Sequence, residues 1–110
     1  MFLIAYKNSS SFKITSMSTV MLMSWPEVSE EQYQQARKEI NWEGDTPRGA
    51  KFHVAWMGDD GFHVLDLWES EDLFEKFVQE RLMPGVQKLG IKGQPKVSFA
   101  DPLSVFAPDV

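Results

Sequence analysis

Alternating and continuous apolar runs along the chain predict four strands. Thr19 to Trp25 (TVMLMSW) is a short apolar run that stops at Pro26, which is typical of a buried strand. Lys51 to Met57 and Phe62 to Trp68 are predicted as a second and a third strand, and Pro95 to Phe99 as the last. The sequence GDDG between the middle two predicts a hairpin turn, because Asp and Gly tolerate positive φ.

A helical spacing of apolar residues follows the first strand and again the third. Ser29 is a suitable N-cap with Gln32 three residues later, and Tyr33, Ala36 and Ile40 fall on one narrow apolar stripe. The connection from Asn41 to Gly49 carries Gly, Asp and Pro and is predicted to be irregular.

The second helix is predicted to begin at Glu71, with Ser70 as its N-cap. Its apolar stripe contains Leu73, Phe74, Phe77, Val78 and Leu82. Pro84 is expected to break this helix, leaving a short helical turn to Leu89 that Gly90 ends.

The order strand, helix, strand, strand, helix, strand is that of a ferredoxin-like, βαββαβ sandwich of the α+β class. Right-handed crossovers place both helices on the same face of a four-stranded antiparallel sheet. We expect one such domain over residues 18–110, including a Pro-interrupted C-terminal tail.

The hairpin turn determines which side chains share a face. Pairing Gly58 with Gly61 places His53 opposite Asp66 and Trp56 opposite His63. One face then holds Phe52, Val54, Trp56, His63, Leu65 and Leu67, and we expect this more apolar face to meet the helices. The opposite face holds His53, Ala55, Met57, Phe62, Val64, Asp66 and Trp68.

That second face is still rich in apolar groups, although two helices cover only one side of a sheet. Apolar surface left in water forgoes about 25 cal/mol per Å², so a second cover is expected. The simplest cover is another copy of the chain, sheet against sheet, enclosing a barrel-like cavity. A monomer with a one-sided sheet is the alternative.

Composition and charge disfavour several classes of partner and of chemistry. The net charge is -5 and the pI is near 4.9, which disfavours nucleic acid and anionic membrane surfaces as partners. No apolar stretch is long enough to span a bilayer. The chain has no cysteine, which excludes a thiolate nucleophile and fits a cytoplasmic location.

Residues 1–17 are predicted to be a flexible N-terminal extension. They carry a short apolar run with no basic residue before it, so they resemble a signal peptide poorly. Met17 lies two residues before the first strand, which suggests translation from that methionine; a native arm is the alternative.

The pattern as a whole, including DLWESEDLFEKF from Asp66 to Phe77, resembles the dimeric α/β barrel superfamily. Within it, the chain is similar to small antibiotic-biosynthesis-monooxygenase-like domains, over roughly Ser18 to Phe99. Such proteins commonly use an Asn on the first strand, a Trp ending the third and a His in the following helix. Trp68 matches that Trp, whereas Phe77 and Val78 stand near the helical His position and strand one has no Asn.

His53 opposite Asp66 is the sharpest candidate site. A carboxylate beside an imidazole orients the ring and favours its protonated form, as in a general base. We predict both as catalytic, beside a ligand pocket formed by Trp68, Val64, Ala55, Phe62 and Met23. The alternative is a structural polar pair inside the dimer.

His63 is expected to lie on the helix-facing side as a partly buried edge or core histidine rather than a ligand. Two histidines on opposite faces cannot share one ion, so we predict no metal site, and no cofactor.

Three functions are consistent with these observations. The first is a homodimer that binds a small, largely apolar organic molecule, as a cofactor-independent monooxygenase-like or proton-transfer enzyme. The second is a non-catalytic ligand-binding or stress-type dimer. The third is a protein-interaction module in which Leu103, Val105 and Phe106 dock on a partner or swap across the dimer.

Overall fold

The computed structural model describes residues 18–108. The predicted N-terminal extension, residues 1–17, lies outside the described residues. The elements, in chain order, are β1 (Thr19–Trp25), α1 (Glu30–Ile40), β2 (Ala50–Gly58), β3 (Gly61–Trp68), α2 (Glu71–Phe77), a π-helical turn (Val78–Leu82), α3 (Met83–Leu89) and β4 (Lys96–Ala100).

The strands form one antiparallel sheet in the order β2-β3-β1-β4, as a ferredoxin-like α+β fold requires. The predicted hairpin register is confirmed: His53 pairs with Asp66, and Trp56 pairs with His63. The register shifts between Ala50 and Phe52, where β2 carries an irregularity typical of a bulge.

Local sequence signals explain where the helices begin. The Ser29 side chain accepts a hydrogen bond from the Gln32 backbone N–H, and the Gln32 side chain accepts one from the Ser29 N–H, which completes a capping box. Ser70 caps α2 by accepting from the Leu73 N–H at 3.2 Å.

The expected break at Pro84 is wrong. The helical segment continues from α2 through the π-helical turn into α3, with Pro84 in the first turn of α3, and ends at Gly90 with φ 70°. A wider π turn changes the hydrogen-bond spacing ahead of the proline, which has no N–H to donate.

The prediction of which face meets the helices is also wrong. The core between the sheet and the helical segments contains Met21, Met23, Trp25, Val28, Phe62, Val64, Trp68, Phe74 and Val86. Phe62, Val64 and Trp68 therefore lie beneath the chain's own helices.

The opposite side of the sheet, here called the open face, carries Val20, Leu22, Val54, Trp56, Leu65 and Leu67. Leu22, Leu65 and Val54 stand next to one another across three strands. Leu22 and Val54 are about two-fifths exposed, at 43% and 40%. This face therefore carries the apolar surface that the chain's own helices leave uncovered.

The C-terminal tail follows β4 without regular structure up to residue 108. Leu103 and Phe106 are almost completely exposed in it, and Val105 is half exposed.

Candidate functional site

A cavity of about 300 Å³ lies between the sheet and the helices. Its wall is mostly apolar and is built by residues of β1, α1, β2, β3 and the helical segments after β3. A volume near 300 Å³ is at the lower end of the range for small-molecule sites. The cavity belongs to one chain, so the expectation that it forms between the sheets of two subunits is wrong.

His53 and Asp66 meet at one end of this cavity. His53 Nδ1 lies 2.7 Å from Asp66 Oδ1, as their pairing across β2 and β3 predicts. Asp66 is only 6% exposed, whereas the His53 side chain is 31% exposed. A buried carboxylate thus anchors an imidazole that reaches toward solvent and the cavity.

Trp68 provides the second hydrogen bond to the Asp66 carboxylate. Its indole Nε1 donates a hydrogen bond to Asp66 Oδ2 at 2.9 Å. Trp68 is nearly fully buried and packs edge-on against Phe74, with ring centroids 5.4 Å apart. Each carboxylate oxygen therefore has its own N–H partner, which fixes the orientation of Asp66.

Tyr33 is the functional candidate that the sequence reasoning missed. Its hydroxyl lies 2.8 Å from His53 Nε2, on the imidazole edge opposite Asp66. The helical spacing places Tyr33 in the apolar stripe of α1. The available signal was that a half-buried tyrosine needs a hydrogen-bond partner for its hydroxyl.

Burial shifts the titration of Tyr33. Desolvation raises the pKa of its hydroxyl above the ordinary 10.0; the nearby Arg37 acts in the opposite direction, and the carboxylates of Glu43 and Asp66 add to the increase. The hydroxyl therefore keeps its proton at neutral pH.

An aromatic and charged rim surrounds His53. The Trp42 ring lies 5.2 Å from the imidazole and 5.9 Å from the Tyr33 ring, measured between centroids. Next to it, the Arg37 guanidinium forms two hydrogen bonds to the Glu43 carboxylate, at 2.8 and 2.9 Å. The hydrogen bond from Arg37 lowers the pKa of Glu43.

The remaining predicted pocket residues divide into two groups. Met23, Phe62 and Val64 line the cavity together with Trp68. Ala55 does not line it, but packs at the margin of the core. Ala55 stands next to Val64 in the register, so alternation alone did not separate the two.

The prediction that His63 faces the helices is wrong. His63 stacks on Trp56 of the open face, with ring centroids 5.3 Å apart. Its Nε2 lies 2.6 Å from Asp60 Oδ1, in the hairpin turn. This hydrogen bond lowers the pKa of Asp60.

Within residues 18–108, no three His, Asp or Glu side chains are grouped closely enough to hold a metal ion. The helices in this same range are all too short or too polar to cross a membrane.

Solved structures share this architecture. The chain matches a variant of SnoaB, a cofactor-independent oxygenase from Streptomyces nogalater, with a TM-score of 0.61 and 9% identity, over 84% of this chain and 99% of that one. It matches the ActVA-Orf6 monooxygenase of Streptomyces coelicolor, solved with nanaomycin D, with a TM-score of 0.56 and 19% identity, over 86% and 96%.

A protein of unknown function from Nitrosomonas europaea, NE2512, gives a TM-score of 0.63 and 14% identity, over 86% and 99% of the two chains. No family sequence model matches the chain, and no curated protein sequence matches it. The chain therefore has the fold of antibiotic-biosynthesis-monooxygenase-like domains, and at these identities the likeness concerns the fold.

Proposed function

We propose that this protein binds a small, largely apolar organic molecule in the cavity and removes a proton from it, with His53 as the base. One observation carries the proposal: the hydrogen-bonded series Tyr33–His53–Asp66 ends in a mostly apolar cavity of about 300 Å³. A few convergent polar groups in an apolar pocket are the usual form of a small-molecule site.

The arrangement of His53 supports a role in proton transfer. Asp66 orients the imidazole through Nδ1 and stabilises the positive charge that forms when Nε2 takes up a proton. Tyr33 occupies the Nε2 side, so a proton reaches the imidazole through a hydroxyl already in contact with it. An organic anion formed in an apolar cavity is electron-rich, and SnoaB, which shares the fold, is an oxygenase that needs no cofactor. Oxygen is accordingly the first co-substrate to test.

We further propose that two copies associate through the open face. Leu22, Val54 and Trp56 leave a continuous apolar surface on the side away from the helices. A surface of this kind on a central sheet is typical of an interface. The cavity lies on the other side of the sheet, so each subunit would hold its own ligand.

The first experiment identifies what the native protein holds. Molecules extracted from purified wild-type protein are compared by mass spectrometry with those from His53→Ala. His63→Ala is the matched control, because it removes the other histidine from the opposite side of the sheet. We expect a small organic molecule with wild type and His63→Ala, and its loss with His53→Ala.

The second experiment tests proton transfer. The extracted molecule, or a panel of phenols of similar size, is incubated with each variant in air while oxygen uptake is recorded. Uptake with wild type and not with His53→Ala supports catalysis. Equal binding by both histidine variants, with no uptake by any protein, would contradict it.

That last outcome would favour a non-catalytic ligand-binding protein. One observation is compatible with this second function: among the described residues, no buried side-chain nitrogen or oxygen lacks a hydrogen-bond partner. In that case the Tyr33–His53–Asp66 series would serve to hold the cavity wall together.

A further inference from the structure

Asp66 determines which group donates and which accepts in the hydrogen bonds of the site. Its carboxylate oxygens accept from the Trp68 indole at 2.9 Å and from His53 Nδ1 at 2.7 Å. A carboxylate accepts hydrogen bonds, so Nδ1 carries the imidazole proton. In the neutral ring the other nitrogen, Nε2, then has a free lone pair and no proton.

The direction continues to Tyr33. Its hydroxyl is 2.8 Å from His53 Nε2, and a lone pair there requires the hydroxyl to be the donor. A tyrosine hydroxyl has a single proton, and this one is engaged. Toward the cavity, which Tyr33 lines, the oxygen therefore offers only acceptor lone pairs.

The two basic side chains near Tyr33 and the cavity differ in their partners. Lys51 lines the cavity, and its Nζ lies 2.7 Å from the Ser18 hydroxyl. Arg37, near Tyr33, forms two hydrogen bonds with Glu43 and a third with Gln34. An anionic ligand would thus approach the Tyr33 lone pairs, Glu43 and the buried Asp66, and the Arg37 charge beside them is already paired with Glu43.

We propose that Tyr33 is the residue that contacts the ligand and that it selects uncharged molecules presenting an O–H or N–H group. This inference rests on the proposed function and specifies its substrate class. When the ligand is deprotonated, its proton moves to the Tyr33 oxygen as the original hydroxyl proton moves to His53 Nε2. One ligand bond to hydrogen breaks, one N–H bond forms, and the products are a ligand anion and an imidazolium held by Asp66.

Three probes of equal ring size test the selection. Naphthol offers a donor, methoxynaphthalene is the same molecule with that donor methylated, and naphthoate is an anion with acceptors only. Binding to wild type is followed by probe fluorescence at neutral pH. We expect naphthol to bind about tenfold more tightly than the methyl ether, as the loss of one hydrogen bond predicts, and naphthoate to bind most weakly.

Tyr33→Phe tests whether Tyr33 is the residue responsible for this preference, and Gln35→Ala is its control. Gln35 is an exposed neighbour on the same helix and serves as the control for handling and folding. We expect Tyr33→Phe to bind naphthol and the methyl ether equally, while Gln35→Ala keeps the preference. Circular dichroism establishes that both variants are folded.

Several outcomes would overturn the inference. If the wild-type protein binds the methyl ether or naphthoate more tightly than naphthol, Tyr33 does not act as an acceptor for the ligand. This comparison needs no variant. A folded Tyr33→Phe that retains the preference for naphthol assigns ligand contact to His53 and leaves the proposed function intact. If none of the three probes binds to wild type, the proposed function fails and this inference fails with it.

Discussion

Trp68 donates its indole N–H to the carboxylate of Asp66, two residues earlier on the same strand, at 2.9 Å. Both side chains are buried, at 2% and 6% exposure. The indole is therefore a structural support of the site as well as a core residue: it satisfies the carboxylate oxygen that His53 does not reach.

Trp68→Phe is expected to destabilise the protein. Phenylalanine keeps an aromatic ring in the core but leaves Asp66 Oδ2 without its donor, and an unsatisfied buried polar group costs about 1–3 kcal/mol. Urea unfolding measures the change. Trp56→Phe is the control, because Trp56 is 44% exposed on the open face. Equal midpoints for the two variants would contradict the assigned role.

Tyr33 should lose its hydroxyl proton later than an ordinary tyrosine. Its pKa is raised above 10.0, chiefly by desolvation, so the protonated form is favoured in the folded state. Its contribution to stability is fully present below the pKa of unfolded tyrosine and is lost as pH rises through the higher folded value.

An ultraviolet titration of tyrosinate absorbance measures this. The chain contains two tyrosines, and the highest transition is expected to disappear in Tyr33→Phe. If Tyr33→Phe leaves that transition in place, Tyr33 is not the residue with the raised pKa.

Trp56 and Met57 lie on opposite faces of the sheet, so substitutions at them test the two faces separately. They are neighbours on β2 with nearly equal exposure, 44% and 46%, and their side chains point to opposite sides of the sheet. If two copies associate through the open face, Trp56→Lys places a charge in the interface and Met57→Lys does not.

Sedimentation at micromolar concentration is the measurement. We expect a dimer for wild type and Met57→Lys, and a monomer for Trp56→Lys. A wild-type monomer, or a Trp56→Lys dimer as tight as wild type, would exclude association through this face.

Gly85 permits the close approach of α3 to α1. A Cβ atom at this position would lie 2.6 Å from Ile40 Cγ1, well inside van der Waals contact. Gly85→Ala is therefore expected to lower the free energy of unfolding by about 1–3 kcal/mol, the usual cost of overpacking. Chemical denaturation tests this against Gln87→Ala, an exposed position in the same helix. An equal effect of both substitutions would mean that the helices separate at little cost.

The element order and the hairpin register were predictable because turn chemistry and strand alternation are local properties. Gly58 and Gly61 alone aligned His53 with Asp66, and Ser29 and Ser70 located both helix starts. Pro84 shows the limit of local rules, since the backbone passes it by means of a π turn.

The choice of face failed for a physical reason. The apolar residues of β2 and β3 alone favour the wrong face, because β1 adds buried Met21, Met23 and Trp25 to the Asp66 side of the hairpin. The face that packs against the helices also carries the polar His53 and Asp66, which make it the less apolar of the two. Their partners Tyr33 and Trp68, which satisfy them there, come from a distant helix and the end of the strand.

The strand order places β2 at a margin of the sheet, with β3 as its neighbour on one side. Fraying of this edge would carry the imidazole away from its buried carboxylate while the central strands remain paired. The site is then intact only while this edge strand stays paired. Hydrogen exchange detects local opening of the strand separately from global unfolding.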